Sequence, residues 1–324
     1  MTVALTADWV PSIIRWRPES MVEWCHLGNL RFTDPFFEQT VRRAMHEPFN
    51  LLFSHRTPLN EIVANAALPV VKLRGLIFHL SRCGSTVVSQ MLAALARNVV
   101  LSEPAPLDQI VRLPARLGAS SADELVPYLR GMVAALGRKR QPQECDLFIK
   151  LDAWHILLLP LFRRAFPTVP WVFVYRDPLE VLASLARSRP LQMFPHWIEP
   201  ALLAPARTEL SRMTPDAYTA HVLACFLRAA IEHHRDGGLL VEYCELPGAA
   251  CTRVLEHFGL HYLEDDLATM RSAARHNVKQ AGTRFRPDGA AKRRSASAEI
   301  RALAETQLAP LYAQLDAQRG NSAR

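Results

Sequence analysis

The sequence predicts an α/β fold with a mostly parallel central sheet and helices on both faces, arranged in three layers. From about residue 70 onward, short apolar runs of strand length alternate with longer helical patterns. This alternation is typical of crossover connections between parallel strands. The first apolar run also ends in small polar residues and one glycine, followed at once by an Ala/Leu-rich helical pattern. Such a strand, loop and helix start can place backbone N–H groups around a phosphate.

The predicted strands have β-branched or aromatic content and the length of short buried strands. They are Leu76–His79, Val99–Leu101, Leu147–Lys150, Trp171–Tyr175 and Leu239–Tyr243. The helical patterns that separate or follow them are Thr86–Ala96, Ala122–Leu136, Ala153–Ala165, Pro178–Ser188, Pro215–His234 and Ala298–Ala317. In a sheet of this kind ligands bind beyond the carboxyl ends of the strands, so functional residues are expected just after the apolar runs.

Residues 1–70 form a separate N-terminal segment whose role the sequence does not reveal. We expect a docking arm or part of a substrate lid, with residues 71–324 forming the main domain. Asp34 is predicted to cap a helix over Phe36–Ala44, with Pro35 at its first position. The Pro-rich stretch from Pro190 to Pro215 is predicted to be a long loop over the sheet edge that covers the substrate.

Composition narrows the class of protein. The 324 residues are 49% hydrophobic and 21% charged, which is ordinary for a globular protein. No apolar run is long enough for a membrane span, and no secretory signal is evident. Six scattered cysteines without a C-x-x-C pair indicate reduced thiols. We therefore expect a cytoplasmic protein.

The loop itself nearly matches the Walker form G-x-x-x-x-G-K-[ST]. It reads Ser81-Arg82-Cys83-Gly84-Ser85-Thr86, so Ser85 stands where the lysine should be and Arg82 lies inside the loop. The loop amides and the hydroxyl groups of Ser85 and Thr86 are expected to bind a phosphate. A nucleotide triphosphatase needs the loop lysine and an aspartate that binds magnesium, and neither is evident.

A second motif follows the fourth predicted strand. Arg176 ends that strand, Asp177-Pro178 begins a helix, and Ser184 lies eight residues after Arg176. The arginine offers a forked donor to phosphate, and the serine adds a hydroxyl donor.

Together the two motifs resemble the sulfotransferase superfamily, which has a P-loop-type fold and uses 3′-phosphoadenosine 5′-phosphosulfate (PAPS). The loop is most similar to the P-R-S-G-T-T form of the tyrosylprotein and heparan-type enzymes. The resemblance implies that Ser81 to Thr86 bind the 5′ end of the donor and that Arg176 and Ser184 bind its 3′-phosphate. Two departures from the family form are Ser81 for proline and Cys83 for serine.

Further matches extend the resemblance over residues 73–295. Tyr243 lies in a segment similar to the family's Y-E-D-L and is expected to touch the nucleotide. Arg82 is expected at the leaving oxygen, and Lys150 stands where the family carries a lysine near the transferred group. For the general base the sequence favours Glu103, then Asp152, then His155.

Positive charge is concentrated late in the chain. Eight basic residues and one acid lie between Arg271 and Arg294, against a net charge of +7 for the whole protein. Such a cluster suits an anionic ligand, and the resemblance makes Arg284 the expected donor contact. Nucleic acid is disfavoured because no aromatic interleaving accompanies the charges.

The sequence therefore predicts a PAPS-dependent sulfotransferase that transfers the sulfuryl group to a hydroxyl or amine and needs no metal. The alternatives are a P-loop small-molecule kinase that uses ATP and magnesium, or a relative that binds the nucleotide without catalysis. The class of acceptor and the oligomeric state cannot be read from the sequence.

Overall fold

The computed structural model describes residues 5–16, 19–67, 70–114, 122–203, 207–210, 212–275 and 289–322. Its strands are β1 (Trp9–Arg15), β2 (Met21–His26), β3 (His55–Pro58), β4 (Lys72–His79), β5 (Asn98–Ser102), β6 (Asp146–Lys150), β7 (Trp171–Tyr175) and β8 (Gly238–Glu242). Its helices up to the middle of the chain are α1 (Phe37–Met45), α2 (Pro48–Leu52), α3 (Ser85–Ala93), α4 (Ala105–Val111), α5 (Ala122–Leu136), α6 (Leu159–Ala165) and α7 (Pro178–Arg187). Those that follow are α8 (Arg207–Leu210), α9 (Pro215–His233), α10 (Arg253–His257), α11 (Glu264–Ala274), α12 (Gly289–Ser295), α13 (Ala298–Leu303) and α14 (Ala309–Ser322).

Five of the strands form a parallel sheet in the order β5-β6-β4-β7-β8. Every residue of β5, β6 and β7 is buried, so helices cover both faces of the sheet. The predicted α/β class and all five predicted strand positions are confirmed. The order reverses at β4, because the chain goes to β5 and β6 on one side of it and to β7 and β8 on the other. Ligands bind at such a reversal in open α/β sheets.

The strand register aligns the carboxyl ends of the sheet. Ser102 pairs with Lys150, and Tyr175 pairs with Glu242. The residues that follow β4, β5, β6, β7 and β8 are therefore brought to one edge.

The N-terminal segment holds an antiparallel sheet in the order β1-β2-β3, which the sequence reading missed. Gln109 of α4 fastens this sheet to the main domain. Its amide nitrogen donates to the Ile14 carbonyl oxygen at 3.0 Å, and its amide oxygen accepts from the Ile14 N–H at 2.6 Å. Apolar residues of both sheets belong to one continuous core.

Several predicted helix bounds need correction. Helix α1 begins at Phe37 with Phe36 as its N-cap, and Asp34 instead accepts a hydrogen bond from the Thr40 hydroxyl at 2.6 Å. The region 153–165 begins as a 3₁₀ turn, Ala153–Leu158, before α6. The C-terminal helix is interrupted by a π-helical turn, Ala304–Leu308, and continues to Ser322.

Among the described residues, no helix has both the length and the apolar character that crossing a membrane requires.

Candidate active site

The loop between β4 and α3 lies at the point where the strand order reverses. Ser81, Cys83, Ser85 and Thr86 are buried in it. Gly84 has φ +84°, and a Cβ atom built there would lie 2.7 Å from the Tyr243 ring. Glycine is therefore required both by the left-handed backbone and by the close approach of the tyrosine. Burial raises the pKa of the Cys83 thiol to about 11, so the thiol is neutral at pH 7.

The loop is tied to residues 188–197, which we call the bridging segment. The Arg82 guanidinium donates to the Ser188 carbonyl oxygen at 3.1 Å. The Gln192 amide donates to the Ser81 hydroxyl at 3.3 Å. The backbone of Arg82 is itself left-handed, with φ +61°.

Lys150, at the end of β6, is fully buried and donates to the carboxylate of Glu103. His79, at the end of β4, lies 3.4 Å from the same carboxylate oxygen. Burial acts to raise the pKa of Glu103, but the Lys150 charge and the His79 hydrogen bond outweigh it and hold that pKa well below its usual range. Burial, together with Lys150, lowers the pKa of His79. The result is a buried lysine–carboxylate pair beside a histidine whose pKa is lowered.

Asp152 lies two residues beyond Lys150 in a group of acids and one histidine. Donor or acceptor atoms of Asp108, Asp152 and His155 all lie within 4.8 Å of one another. Burial raises the pKa of Asp152 to about 7, with the nearby charges of Glu103 and Asp108 adding to the rise and that of His155 opposing it. Among Glu103, Asp108 and Asp152, Asp152 is the residue whose carboxyl pKa lies close to neutral pH.

The Asp108 carboxylate contacts three neighbouring side chains. One of its oxygens accepts from the Trp154 indole at 2.9 Å and lies 3.2 Å from Nε2 of His155. The other accepts from Arg112 at 2.7 Å. These contacts outweigh the burial of the carboxyl group and lower its pKa to about 2. Three aspartate or histidine ligands at this spacing could hold a metal, but the Asp108 oxygens are already engaged by protein donors. The absence of a metal requirement stays a prediction.

On the other side of the loop lies a cavity of about 550 Å³. Arg176 and Tyr243 line it, and the Arg176 guanidinium carbon lies 4.0 Å from the centre of the Tyr243 ring. Because the Tyr243 ring also borders Gly84, it connects the loop with the arginine of the second motif. Ser184 is half-buried on α7.

Glu180 and Arg293 also line this cavity, and the sequence reading did not single them out. The Glu180 carboxylate lies 2.7 Å from Nε of Arg176 and 2.9 Å from Nε of Arg293. Arg293 also contacts Asp177 at 3.1 Å. The spacing of four residues between Arg176 and Glu180 is the sequence feature that could have predicted their ion pair. The expected contact Arg284 lies outside the described residues.

Phe36 brings the N-terminal segment into the site, since the centre of its ring lies 5.3 Å from Nζ of Lys150. Arg31 and Asp34 anchor the chain before it. Arg31 donates to the carbonyl oxygens of Ala93 and Leu95 at the end of α3, and the Asp34 carbonyl oxygen accepts from Gln90 at 3.1 Å.

No protein-family model and no curated protein matches the chain. Three solved structures to which it is similar are sulfotransferases. One from Mycobacterium avium has 13% identity and a TM-score of 0.48, covering 79% of this chain and 78% of that one. The sulfotransferase domain of the Synechococcus olefin synthase has 16% identity and a TM-score of 0.45, over 74% and 96%. A sulfotransferase from Alicyclobacillus acidocaldarius has 12% identity and a TM-score of 0.44, over 78% and 97%.

These proteins are of the class that the motifs resemble. Similarities of this size say nothing about activity, so the function below is argued from the residues of the site.

Proposed function

We propose that this protein transfers the sulfuryl group of PAPS to a hydroxyl or amine acceptor. The observation that carries the proposal is the position of the Tyr243 ring, which lies against both Gly84 and the Arg176 guanidinium. Gly84 and Arg176 are 92 positions apart in the sequence, and their contact with one ring supports a ligand site shared by the two motifs.

The cavity fits the donor in size. Its volume of about 550 Å³ is within the range of small-molecule sites. The guanidinium groups of Arg176 and Arg293 line the cavity. Both are paired with Glu180, so a phosphate would take their forked N–H donors from that carboxylate. We assign the 3′-phosphate to Arg176 and Ser184, and the 5′ end to the loop Ser81–Thr86. Tyr243 forms a wall of the nucleotide site, and Arg284 stays an expected contact of the late basic segment.

The donor supplies an activated sulfuryl group and leaves as adenosine 3′,5′-bisphosphate. The acceptor oxygen or nitrogen forms the new bond to sulfur while the bond between sulfur and the phosphate oxygen breaks, and the electron pair of that bond stays on the phosphate. Lys150 and Arg82 place positive charge where negative charge develops.

We assign the general base to Asp152. A base works best when its pKa is near the working pH, and the pKa of Asp152 is about 7. Glu103, which the sequence favours, has a low pKa because it is paired with Lys150. We therefore propose that Glu103 positions the lysine. Nε2 of His155 contacts the Asp108 carboxylate. We therefore propose that His155 orients the group formed by Asp108 and Asp152.

The N-terminal segment, residues 1–70, is proposed to complete the acceptor side of the site through Phe36, with residues 71–324 forming the catalytic domain. All six cysteines are free, which suits the reducing conditions of the cytoplasm, the predicted location.

A thermal-shift experiment tests the function. The protein is heated with adenosine 3′,5′-bisphosphate, with ATP, or with ATP and magnesium, since a ligand that binds the native state raises Tm. We expect the bisphosphate to give the largest shift, with or without EDTA. A shift only with ATP and magnesium would favour a kinase and contradict the proposal. Bisphosphate binding without transfer to any acceptor would indicate the non-catalytic alternative.

A further inference from the structure

A single buried carboxylate occupies both arginines of the cavity. Glu180 is 7% exposed. Its Oε2 atom accepts from Nε of Arg176 at 2.7 Å and lies 2.5 Å from Nη2 of the same side chain. Its Oε1 atom lies 2.9 Å from Nε of Arg293. The two adjacent N–H groups with which Arg176 could bind a phosphate as a fork are therefore both directed at Glu180.

The same carboxylate lies between two helices. Glu180 belongs to α7 and Arg293 to α12. Gly289, the first residue of α12, approaches so closely that a Cβ atom there would lie 2.4 Å from Oε1 of Glu180. Arg293 also contacts Asp177, the N-cap of α7, at 3.1 Å. The Glu180 carboxylate is thus held in the cavity wall, where the anionic group of a ligand would meet it.

The charges of the cavity make this carboxylate a competitor of the ligand. Among the described residues that line it, Asp177, Glu180 and Glu242 are acidic, and Arg176 and Arg293 are basic. A phosphate that entered while the ion pairs stayed intact would meet three carboxylates and two guanidinium groups that are already paired. It can replace Glu180 at the arginines because it carries up to two negative charges and three acceptor oxygens, against one charge and two oxygens for a carboxylate.

We propose that Glu180 is a specificity-determining residue, which competes with the phosphate group of the ligand for Arg176 and Arg293. A nucleotide with a hydroxyl group in place of that phosphate leaves the ion pairs intact. The inference rests on the proposed function, in which the phosphate is the 3′-phosphate of the donor and of the product. It adds that the carboxylate weakens the binding of both and speeds the release of adenosine 3′,5′-bisphosphate.

Calorimetric titration of Glu180→Gln with adenosine 3′,5′-bisphosphate and with adenosine 5′-monophosphate tests the proposal. The amide has the size of the carboxylate and lacks its charge, so the bisphosphate should bind about tenfold more tightly. The affinity for the monophosphate should be nearly unchanged. The dissociation rate of the bisphosphate, measured by stopped-flow displacement, should fall.

The stability of the ligand-free variant adds a second readout. Tm of Glu180→Gln without ligand should fall by a few degrees, because the buried ion pairs are lost. Lower stability together with tighter binding distinguishes competition from a purely structural role, since a structural role would lower both the stability and the affinity.

Two further variants complete the test. Glu245→Gln is the matched control, because Glu245 also lies between two arginines, 2.5 Å from Arg253 and 3.3 Å from Arg319, and is not among the described residues that line the cavity. It should leave the preference for the bisphosphate unchanged. Glu180→Asp keeps the buried charge but is one methylene shorter, so it reaches the two guanidinium groups less well. We expect about threefold tighter binding of the bisphosphate, and this variant carries the test if Glu180→Gln does not fold.

The outcomes separate the inference from the proposed function. Weaker or unchanged bisphosphate binding in the folded Glu180 variants would overturn the inference, because the carboxylate would then position the arginines instead of competing for them. An equal gain in Glu245→Gln, or an equal gain for the monophosphate, would show a general effect of charge and would also overturn it. Failure of wild type and of Glu180→Gln alike to bind the bisphosphate would overturn the proposed function.

Discussion

Lys150 and Glu103 are joined twice. The Lys150 ammonium donates to the Glu103 carboxylate, and the Glu103 N–H donates to the Lys150 carbonyl oxygen at 2.6 Å. Glu103 has a left-handed backbone, with φ +54°. The double link holds a buried cation at the carboxyl edge of the sheet and occupies the carboxylate that the sequence favours as the base.

Replacing each acid by its amide separates the two roles. Glu103→Gln keeps an oxygen that can accept from Lys150, so we expect kcat to fall by no more than about tenfold. Asp152→Asn removes the base, and kcat should fall by about 10²-fold or more. Steady-state kinetics with any working acceptor measures both. The reverse ranking, with a near-normal Asp152→Asn enzyme, would return the role of base to Glu103.

The pH profile gives an independent test of Asp152. Because the base must be ionised and its pKa is about 7, kcat should rise as pH increases from about 6 to 8. Glu103→Gln should keep that rise at a lower level and move its midpoint to lower pH, because the Glu103 charge helps to raise the pKa of Asp152. If the rise of kcat with pH is absent in Glu103→Gln, the assignment of the base to Asp152 is contradicted.

Asp152 also predicts a pH-dependent stability. Its carboxyl pKa is higher in the folded protein than in the unfolded chain, so the native state binds the proton more tightly between about pH 4 and 7. The contribution to the free energy of unfolding is therefore present at low pH and lost as pH rises through 7. Relative to wild type, Asp152→Asn should gain a few degrees in Tm at pH 8 and nothing at pH 4. An equal difference at both values would show that ionisation is not involved.

Gly84 is expected to be essential for nucleotide binding. A methyl group there would collide with the Tyr243 ring and strain a left-handed backbone. Gly84→Ala should weaken the binding of adenosine 3′,5′-bisphosphate by about tenfold or more. Gly259→Ala is the matched control, because Gly259 also has positive φ but its Cβ position is open. Equal affinity in the two variants would mean that the contact with Tyr243 does not shape the site.

Arg293 should contribute to anion binding. Its guanidinium lines the cavity and shares the Glu180 carboxylate with Arg176. We expect Arg293→Ala to weaken bisphosphate binding about tenfold. Arg271→Ala removes the same charge from an exposed residue of the basic run that is paired with Glu264, and it should bind normally in the same calorimetric titration. If both variants lose affinity equally, only the general positive potential matters.

The parallel sheet was predictable because short runs of β-branched and aromatic residues are typical of buried strands. The positions of Lys150 and Arg176 were also predictable. Lys150 ends β6 and Arg176 follows β7, and residues at the carboxyl ends of parallel strands lie at the ligand-binding edge of the sheet. The N-terminal sheet was not, because its short strands and mixed polarity carry no clear alternation. Asp34 does not cap α1, because its carboxylate accepts a hydrogen bond from Thr40 and pairs with Arg43 instead.

The pairing of Lys150 with Glu103 could not be read from the sequence either. It depends on the register that places Ser102 beside Lys150, and register is a tertiary property. The same holds for Asp108. Beside its local contact with Arg112, it contacts Trp154 and His155, which are 46 and 47 positions away in the sequence.

The most direct measurement of the central claim is a calorimetric comparison of adenosine 3′,5′-bisphosphate with adenosine 5′-monophosphate, in EDTA, on wild type and on Arg176→Ala. The two ligands differ only in the 3′-phosphate. If Arg176 binds that group, wild type should prefer the bisphosphate by about tenfold or more, and the preference should largely vanish in the variant. A wild-type protein that binds both ligands equally, or a variant that keeps the full preference, would contradict the account.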